Sequence, residues 1–306
     1  MLSYSWAVFA TWPILLFVCV GLLGLLVGSF LNVVAYRWPV MFEREWRDSC
    51  AEFAREHGLA LPEGSDSPAD GKPDRFDLMW PPSSCTSCDA KIAPWHNVPV
   101  AGWLWLRGRC ANCSASISPR YPIVEAFTGV VSVIIAAVLG PTLSTAAALV
   151  FTWFLIGMSL IDYDTQFLPD SMTLPLMWIG LLLPVIPFTA EAAFIDLQSA
   201  VIGAAAGYLS LWSVNYLFML IRGQQGMGAG DFKLLAAIGA WLGWQMLLPV
   251  IVLSSAVGAI VGVGLIALRN HAPDKPIPFG PYLAGGGWIA LLWGQDFLDW
   301  YLGIMA

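Results

Sequence analysis

The chain has 306 residues, of which 58% are hydrophobic and 11% are charged, whereas about a quarter of the residues of an ordinary soluble domain are charged. So few charges cannot cover the surface of a water-soluble fold, which excludes an ordinary soluble domain, a disordered chain and a secreted disulfide scaffold. The formal net charge of −7 indicates no binding partner, because 10 of the 21 acidic residues lie within residues 43–77. The composition therefore predicts an all-α polytopic membrane protein.

Stretches without a charged side chain predict the membrane-spanning helices, because a helix needs about 20 apolar residues to cross the hydrocarbon core. Two of these stretches are long enough for two helices each, with turns at Gly140-Pro141 and near Gly243. We therefore predict about eight transmembrane helices, of which the sixth is the shortest. The uncharged stretches are 1–36, 126–161, 171–190, 197–221, 234–268 and 276–295.

The basic residues predict the orientation. All 14 Lys and Arg residues lie between Arg37 and Lys275, and eight spans place every one of them on the same side of the membrane. By the positive-inside rule that side is the cytoplasm, so both termini are predicted to be periplasmic. We expect a first transmembrane helix in residues 1–37, a cytoplasmic insert in 38–121 and a seven-helix membrane domain in 122–306.

The insert begins with two segments of different character. Residues 41–57 carry apolar side chains at three- to four-residue spacing and predict an amphipathic helix. Residues 62–75 are rich in Pro, Gly, Asp and Ser and predict a flexible linker. The insert is acidic rather than basic, which argues against a nucleic-acid partner.

Four cysteines of the insert form two CxxC pairs, Cys85 with Cys88 and Cys110 with Cys113, separated by 21 residues. This spacing is typical of a zinc ribbon, in which each pair directs two thiolates at one ion. Two disulfides are the alternative, although the cytoplasm is reducing. Four sulfurs leave no open coordination position, so a zinc ion here is predicted to be structural.

Carboxylates at the cytoplasmic ends of the spans are candidate catalytic groups, because acids at a membrane boundary are costly unless they are paired or functional. Asp162 closes the third span and Asp231 opens the sixth, while Asp164 could take the place of Asp162. Two carboxylates that share a proton suit acid–base hydrolysis. The helix dipoles predict that Asp231 carries the charge and Asp162 the proton. Asp170 is predicted to be the N-cap of the fourth span.

Two further groups allow both a structural and a functional interpretation. Gly226, Gly228 and Gly230 precede Asp231 and form either a simple turn or a path along which a substrate peptide approaches closely. Ser29 and Asn32 share one face of the first span and either pack against another helix or line a ligand pocket.

The order and joint presence of several motifs resemble the type IV prepilin peptidases that are also N-methyltransferases, over nearly the whole chain. The motifs are GSFLNVV at 28–34 with Arg37 and Pro39, the four cysteines, ISPRYP at 117–122 with Glu125, Asp162 with LPD at 168–170, GAGDFK at 228–233 and PIPFGPY at 276–282.

The resemblance implies an enzyme of the cell inner membrane that cleaves the leader of type IV prepilins and pseudopilins at the cytoplasmic face. It also implies methylation of the new N-terminal residue by S-adenosylmethionine, for which we assign no residues. Under this resemblance the catalytic pair is Asp162 and Asp231 rather than Asp164, and the four cysteines hold zinc. The partners are the prepilins and pseudopilins and the lipid bilayer.

Two other function classes remain as alternatives. An ion-coupled transporter could use the acids as a proton relay, although they cluster at one face rather than the midplane and no inverted repeat is visible. A membrane-anchored zinc-ribbon scaffold would explain the cysteines and leave both aspartates without a role.

Overall fold

A computed structural model describes residue 9 and residues 11–59, 75–187, 189–267 and 277–305. These residues form helices, short 3₁₀ turns and loops without a strand, which confirms the predicted all-α class. The helices are α1 (Pro13–Glu56), α2 (Ala101–Trp105), α3 (Arg120–Leu139), α4 (Leu143–Thr165), α5 (Asp170–Leu182), α6 (Leu197–Arg222), α7 (Ala229–Leu242), α8 (Leu247–Ala267) and α9 (Gly280–Met305).

Each of the eight predicted spans contains one helix, and these are α1 and α3 to α9. Within the described part of the chain, five helices are long and apolar enough to cross a membrane: α1, α3, α4, α6 and α8. Helices α5 and α7 have only 13 and 14 residues, fewer than the roughly 20 that a full crossing needs. The count of eight spans is therefore not confirmed.

The first helix is longer than predicted. The expected first span and the amphipathic helix of residues 41–57 form the single 44-residue helix α1, which continues through Pro39. At 1.5 Å per residue this helix is about 66 Å long, and the hydrocarbon core is only about 30 Å thick. One end of α1 must therefore extend beyond the membrane. Apart from Arg75, the predicted linker at 62–75 lies outside the described residues.

The chain divides into two compact units, Leu23–Gly129 and Met1–Leu22 with Val130–Ala306. This division concerns compactness alone, so the boundaries predicted at residues 37 and 121 stay a prediction.

In the unit Leu23–Gly129, α1 packs closely on α3. A Cβ atom at Gly28 would lie 2.8 Å from the Cα atom of Glu125, so only glycine allows this approach. The buried Asn32 side chain donates hydrogen bonds to the carbonyl oxygens of Gly28 and Tyr121, both at 3.2 Å. These contacts favour helix packing over a ligand pocket as the role of Asn32.

In the other unit, α7 is the most enclosed helix, because α5, α6, α8 and α9 all contact it. Gly203 of α6 and Gly239 of α7 bring the two backbones into direct contact. Small residues allow such close crossings between membrane helices. At the other side of α7, the indole N–H of Trp241 donates to the carbonyl of Leu176 in α5 at 2.8 Å. These contacts fix the helix whose first turn carries Asp231.

Candidate active site and metal centre

The two predicted aspartates lie at helix ends, as their sequence positions indicated. Asp162 is in the last turn of α4 and Asp231 is in the first turn of α7. Both side chains are buried, with 5% and 9% of their surface exposed. Asp164 is exposed instead. Burial therefore singles out Asp162 from the two acids that the sequence left as alternatives.

A backbone donor holds the carboxylate of Asp162. The N–H of Gly280 donates to Asp162 Oδ2 at 2.9 Å. Gly280 begins α9, and the first N–H groups of a helix have no partner within the helix. The next residue is a proline without an N–H, and the two N–H groups after it bond to the carbonyl of Phe279. The Asp162 carboxylate thus accepts the N–H of Gly280, which the turn at the start of α9 leaves without a backbone partner.

The glycine-rich loop before Asp231 is shaped by packing and by one amide side chain. Asn215 Oδ1 accepts hydrogen bonds from the N–H groups of Gly226 and Met227, at 3.0 and 3.1 Å. A Cβ atom at Gly230 would lie 2.7 Å from Leu168 Cβ. Asn215 is not among the residues predicted from the sequence, although an amide inside an otherwise apolar helical stretch is a signal that could have identified it.

Leu168 lies where the two aspartate-bearing segments meet. Besides Gly230, this buried side chain contacts Gly280, where a Cβ atom would lie 3.3 Å from Leu168 Cδ1. Asp162 and Asp231 are close enough for the charge of one to act on the other. The structure thus brings together two carboxyl groups that are 69 positions apart in sequence (231 − 162).

The prediction that Asp170 caps α5 is wrong. Pro169 occupies the N-cap position, and Asp170 is the first residue of the helix. Its carboxylate turns toward α7, where both oxygens lie 2.7 Å from Lys233 Nζ. The ammonium group of Lys233, rather than the N-terminus of α5, therefore binds both oxygens of the Asp170 carboxylate. Lys233 is two residues after Asp231 in α7.

The four cysteines of the insert converge as predicted. Their sulfur atoms all lie within 4.8 Å of one another, and those of Cys85 and Cys113 are 3.8 Å apart. A tetrahedral zinc ion with Zn–S bonds of about 2.3 Å requires sulfur–sulfur distances of about 3.8 Å. The donor set and its spacing therefore fit zinc.

Each cysteine pair belongs to the same kind of tight turn. An isolated antiparallel bridge closes each turn, Ser84 with Lys91 and Arg109 with Ser116. In each turn a backbone N–H lies 3.4 Å from the sulfur of the first cysteine. Backbone N–H groups of Cys113 and, next, Asn112 lower the pKa of Cys110 to about 6. Against the effect of the Ala115 backbone N–H, the neighbouring cysteines raise the pKa of Cys113 to about 11. Without a metal ion, the thiolate, which is the form that binds metal, is therefore favoured at Cys110 and disfavoured at Cys113.

Arg37 holds the segment that leads to the first cysteine pair. Its buried guanidinium donates to the carbonyl oxygens of Asp77 and Pro81, at 2.8 and 2.6 Å. The Asp77 carboxylate accepts hydrogen bonds from the backbone N–H of Met79, from the Arg75 side chain and from the backbone N–H of Trp80. These bonds keep the pKa of Asp77 below the usual range. The sequence marked Arg37 only as part of a motif, because the target carbonyls lie 40 and 44 positions away.

Comparisons with known proteins cover both parts of the chain. Residues 22–139 match the family model of the bacterial peptidase A24 N-terminal domain, and residues 149–263 match that of the type IV leader peptidase family. The chain is 52% identical over 290 residues to the prepilin leader peptidase/N-methyltransferase of Aeromonas salmonicida, which covers 95% of each chain. It is 49% identical over 293 residues to that of Pseudomonas aeruginosa, covering 96% of each. No solved structure matches the chain.

Proposed function

Because the chain belongs to the type IV leader peptidase family, we propose that it cleaves the leader from type IV prepilins and pseudopilins and then methylates the new N-terminal residue. The apolar helices and the family together indicate a multi-pass protein of the inner membrane. The observation that carries the proposal is the pair of buried carboxyl groups, Asp162 and Asp231, at neighbouring ends of α4 and α7.

Peptide hydrolysis by this pair requires one ionised and one protonated carboxyl group. The ionised carboxylate takes a proton from the attacking water, and the protonated carboxyl group donates to the oxygen of the scissile carbonyl. The hydrogen bond from Gly280 favours the charge on Asp162, because a donor to a carboxylate stabilises its ionised form. This supports the reverse of the assignment that helix dipoles alone predicted: Asp162 acts as the base and Asp231 as the acid.

The position of the pair suits a substrate that is itself partly a membrane segment. A pilin continues after its leader as an apolar helix, which the bilayer holds. The bond to be cut then lies at the membrane boundary, at the depth of the end of α4 and the start of α7. A pair of carboxyl groups at that boundary reaches this bond without drawing the pilin helix out of the membrane.

The insert is proposed to contain the structural zinc site. Cys85, Cys88, Cys110 and Cys113 would hold the ion, which would stabilise a segment with almost no core of its own, because only Gly102 and Gly108 are buried within residues 75–119. S-adenosylmethionine would supply the methyl group, and the described contacts assign no residue to it.

The orientation is proposed from the basic residues, with the active site at the cytoplasmic face and both termini in the periplasm. The transporter alternative receives no support, because the relatives are named as peptidases and the paired acids lie at helix ends.

Cleavage of a purified prepilin by the full-length protein in detergent tests the peptidase proposal. We expect Asp162→Asn and Asp231→Asn each to abolish cleavage while the proteins still elute as folded monodisperse species. Asp164→Asn, which changes an exposed acid two residues from the site, is the matched control. Cleavage by either of the first two variants at the wild-type rate contradicts the assignment.

A further inference from the structure

The connection between α4 and α5, residues 166–169, contacts α7 just before Asp231, and the residue that follows this connection contacts α7 just after it. Leu168 packs against Gly230, the residue that precedes the aspartate. Asp170 binds the Lys233 ammonium group with both carboxylate oxygens at 2.7 Å. Leu168 and Asp170 thus hold the first turn of α7 just before and just after Asp231.

The same connection is anchored to the other aspartate. The N–H of Gln166, in the left-handed conformation at φ 56°, donates to the backbone carbonyl of Asp162 at 2.8 Å. Leu168 also packs against Gly280, whose N–H holds the Asp162 carboxylate. A shift of this connection would therefore move Asp231 relative to Asp162.

We propose that Leu168 and the Asp170–Lys233 ion pair are positioning residues that set the separation of the two catalytic carboxyl groups. The inference rests on the proposed peptidase function, because it assigns these residues a role in that reaction. A displacement of about 1 Å in a catalytic group can slow a reaction about a hundredfold. A partly exposed ion pair, in contrast, contributes little to folding stability, and here Lys233 is 30% and Asp170 54% exposed.

A large loss of rate with little loss of stability would distinguish a positioning role from a structural one. Removing either partner, by Lys233→Gln or Asp170→Asn, is expected to lower kcat for prepilin cleavage about tenfold or more. KM is expected to stay within about twofold, and the melting temperature within a few degrees, because the pair stabilises the fold only weakly. The control variant Glu43→Gln removes the Glu43–Arg47 pair of α1, at 3.2 Å, and is expected to leave kcat unchanged.

Rescue tests whether the pair itself matters. Lys233→Arg and the exchange Asp170→Lys/Lys233→Asp both retain an ion pair, and both are expected to recover most of the kcat that Lys233→Gln loses. Failure of both to recover the rate would show that an ion pair at these two positions does not govern the rate, and it would overturn the inference.

Leu168 provides an independent arm of the experiment. Leu168→Ala is expected to lower kcat by a similar factor, whereas Leu174→Ala, at a partly exposed position on α5, is expected to have no effect. The inference is overturned if the Leu168 and Lys233 variants keep the wild-type kcat while Asp162→Asn and Asp231→Asn are inactive. If the aspartate variants still cleave, the proposed function fails instead, so the two failures are distinguishable.

Discussion

Gly280 is the residue at which the absence of a side chain matters most for the proposed site. A Cβ atom there would lie 2.6 Å from Asp162 Oδ2, closer than nonbonded contact allows. Gly280→Ala is therefore expected to displace the carboxylate and lower kcat for prepilin cleavage about a hundredfold. Steady-state kinetics on the purified variant measure this.

The control for that change lies five residues further along the same helix. A Cβ atom at Gly285 would meet no atom of the described residues within 4 Å, so Gly285→Ala adds the same methyl group without a close contact to them. It is expected to retain the wild-type kcat. Equal rates for the two variants would show that the contact between Gly280 and Asp162 does not govern catalysis.

Arg37 gives a residue-scale prediction about stability. Arg37→Met removes two charged hydrogen bonds to backbone carbonyls, those of Asp77 and Pro81. A hydrogen bond to a charged group contributes about 1.5–3 kcal/mol, so we expect a loss of at least about 2 kcal/mol and faster proteolysis of residues 75–81. Thermal unfolding and limited proteolysis measure the two effects.

An exposed arginine of the same helix provides the comparison. Within the part of the chain that the structure describes, the Arg55 side chain donates only to the carbonyl of Ala51, one turn earlier in α1, at 3.3 Å. Arg55→Met is therefore expected to change the stability by less than about 0.5 kcal/mol. A loss equal to that of Arg37→Met would mean that the long-range bonds of Arg37 are not what stabilises the insert.

At the scale of elements, the metal site should behave as a separate folding element. Removing zinc with a chelator is expected to expose residues 85–116 to proteases, because metal binding and folding are coupled in small sites of this kind. Cys88→Ser should have the same effect because it opens the set of four ligands. Metal analysis of the untreated protein should give one zinc ion per chain.

Cys50 is the control for that experiment, since it is an exposed cysteine outside the cluster. Cys50→Ser should leave both the zinc content and the protease pattern unchanged. Protease resistance of residues 85–116 that persists after the zinc has been removed would contradict a structural role for the metal.

Features that depend on residues close together in the chain were predictable from the sequence. The two CxxC turns depend on four-residue spacings, and the aspartates were placed at helix ends because uncharged stretches begin or end beside them. Long-range partners were not predictable in this way. The Asp162–Gly280 and Asp170–Lys233 contacts join residues 118 and 63 positions apart, and no period in one sequence says which helix faces which.

Two helix lengths that differ from the sequence prediction have a common physical cause. A span is predicted to end with its uncharged stretch, here at Tyr36, yet α1 continues to Glu56. An uncharged run of 20 residues predicts a full span, yet α5 ends after 13 residues at Leu182. Both rules describe a helix in isolation, whereas the neighbouring helices and the loops decide where a packed helix ends.

At the scale of the whole molecule, contacts between helix ends agree with the predicted topology. At one end of the larger unit, Ser144 Oγ donates to the carbonyl of Glu191 at 3.2 Å, and both positions are predicted to be periplasmic. The Asp170–Lys233 pair joins two helix ends that are predicted to be cytoplasmic. The alternation of helix ends is thus internally consistent, while the side that faces the cytoplasm stays a prediction.

Labelling of single introduced cysteines decides which side is which. Glu191→Cys should react with a membrane-impermeant thiol reagent in intact spheroplasts, because its loop is predicted to face the periplasm. Gln224→Cys, in the loop before α7, should react only after the cells are opened. Both positions are exposed, so burial does not account for a difference between them. The unaltered protein, with its own six cysteines, gives the background. If Gln224→Cys but not Glu191→Cys is labelled from outside, the orientation is the reverse of the predicted one. The aspartates would then face the periplasm, which would contradict the proposed cleavage of prepilin leaders at the cytoplasmic face.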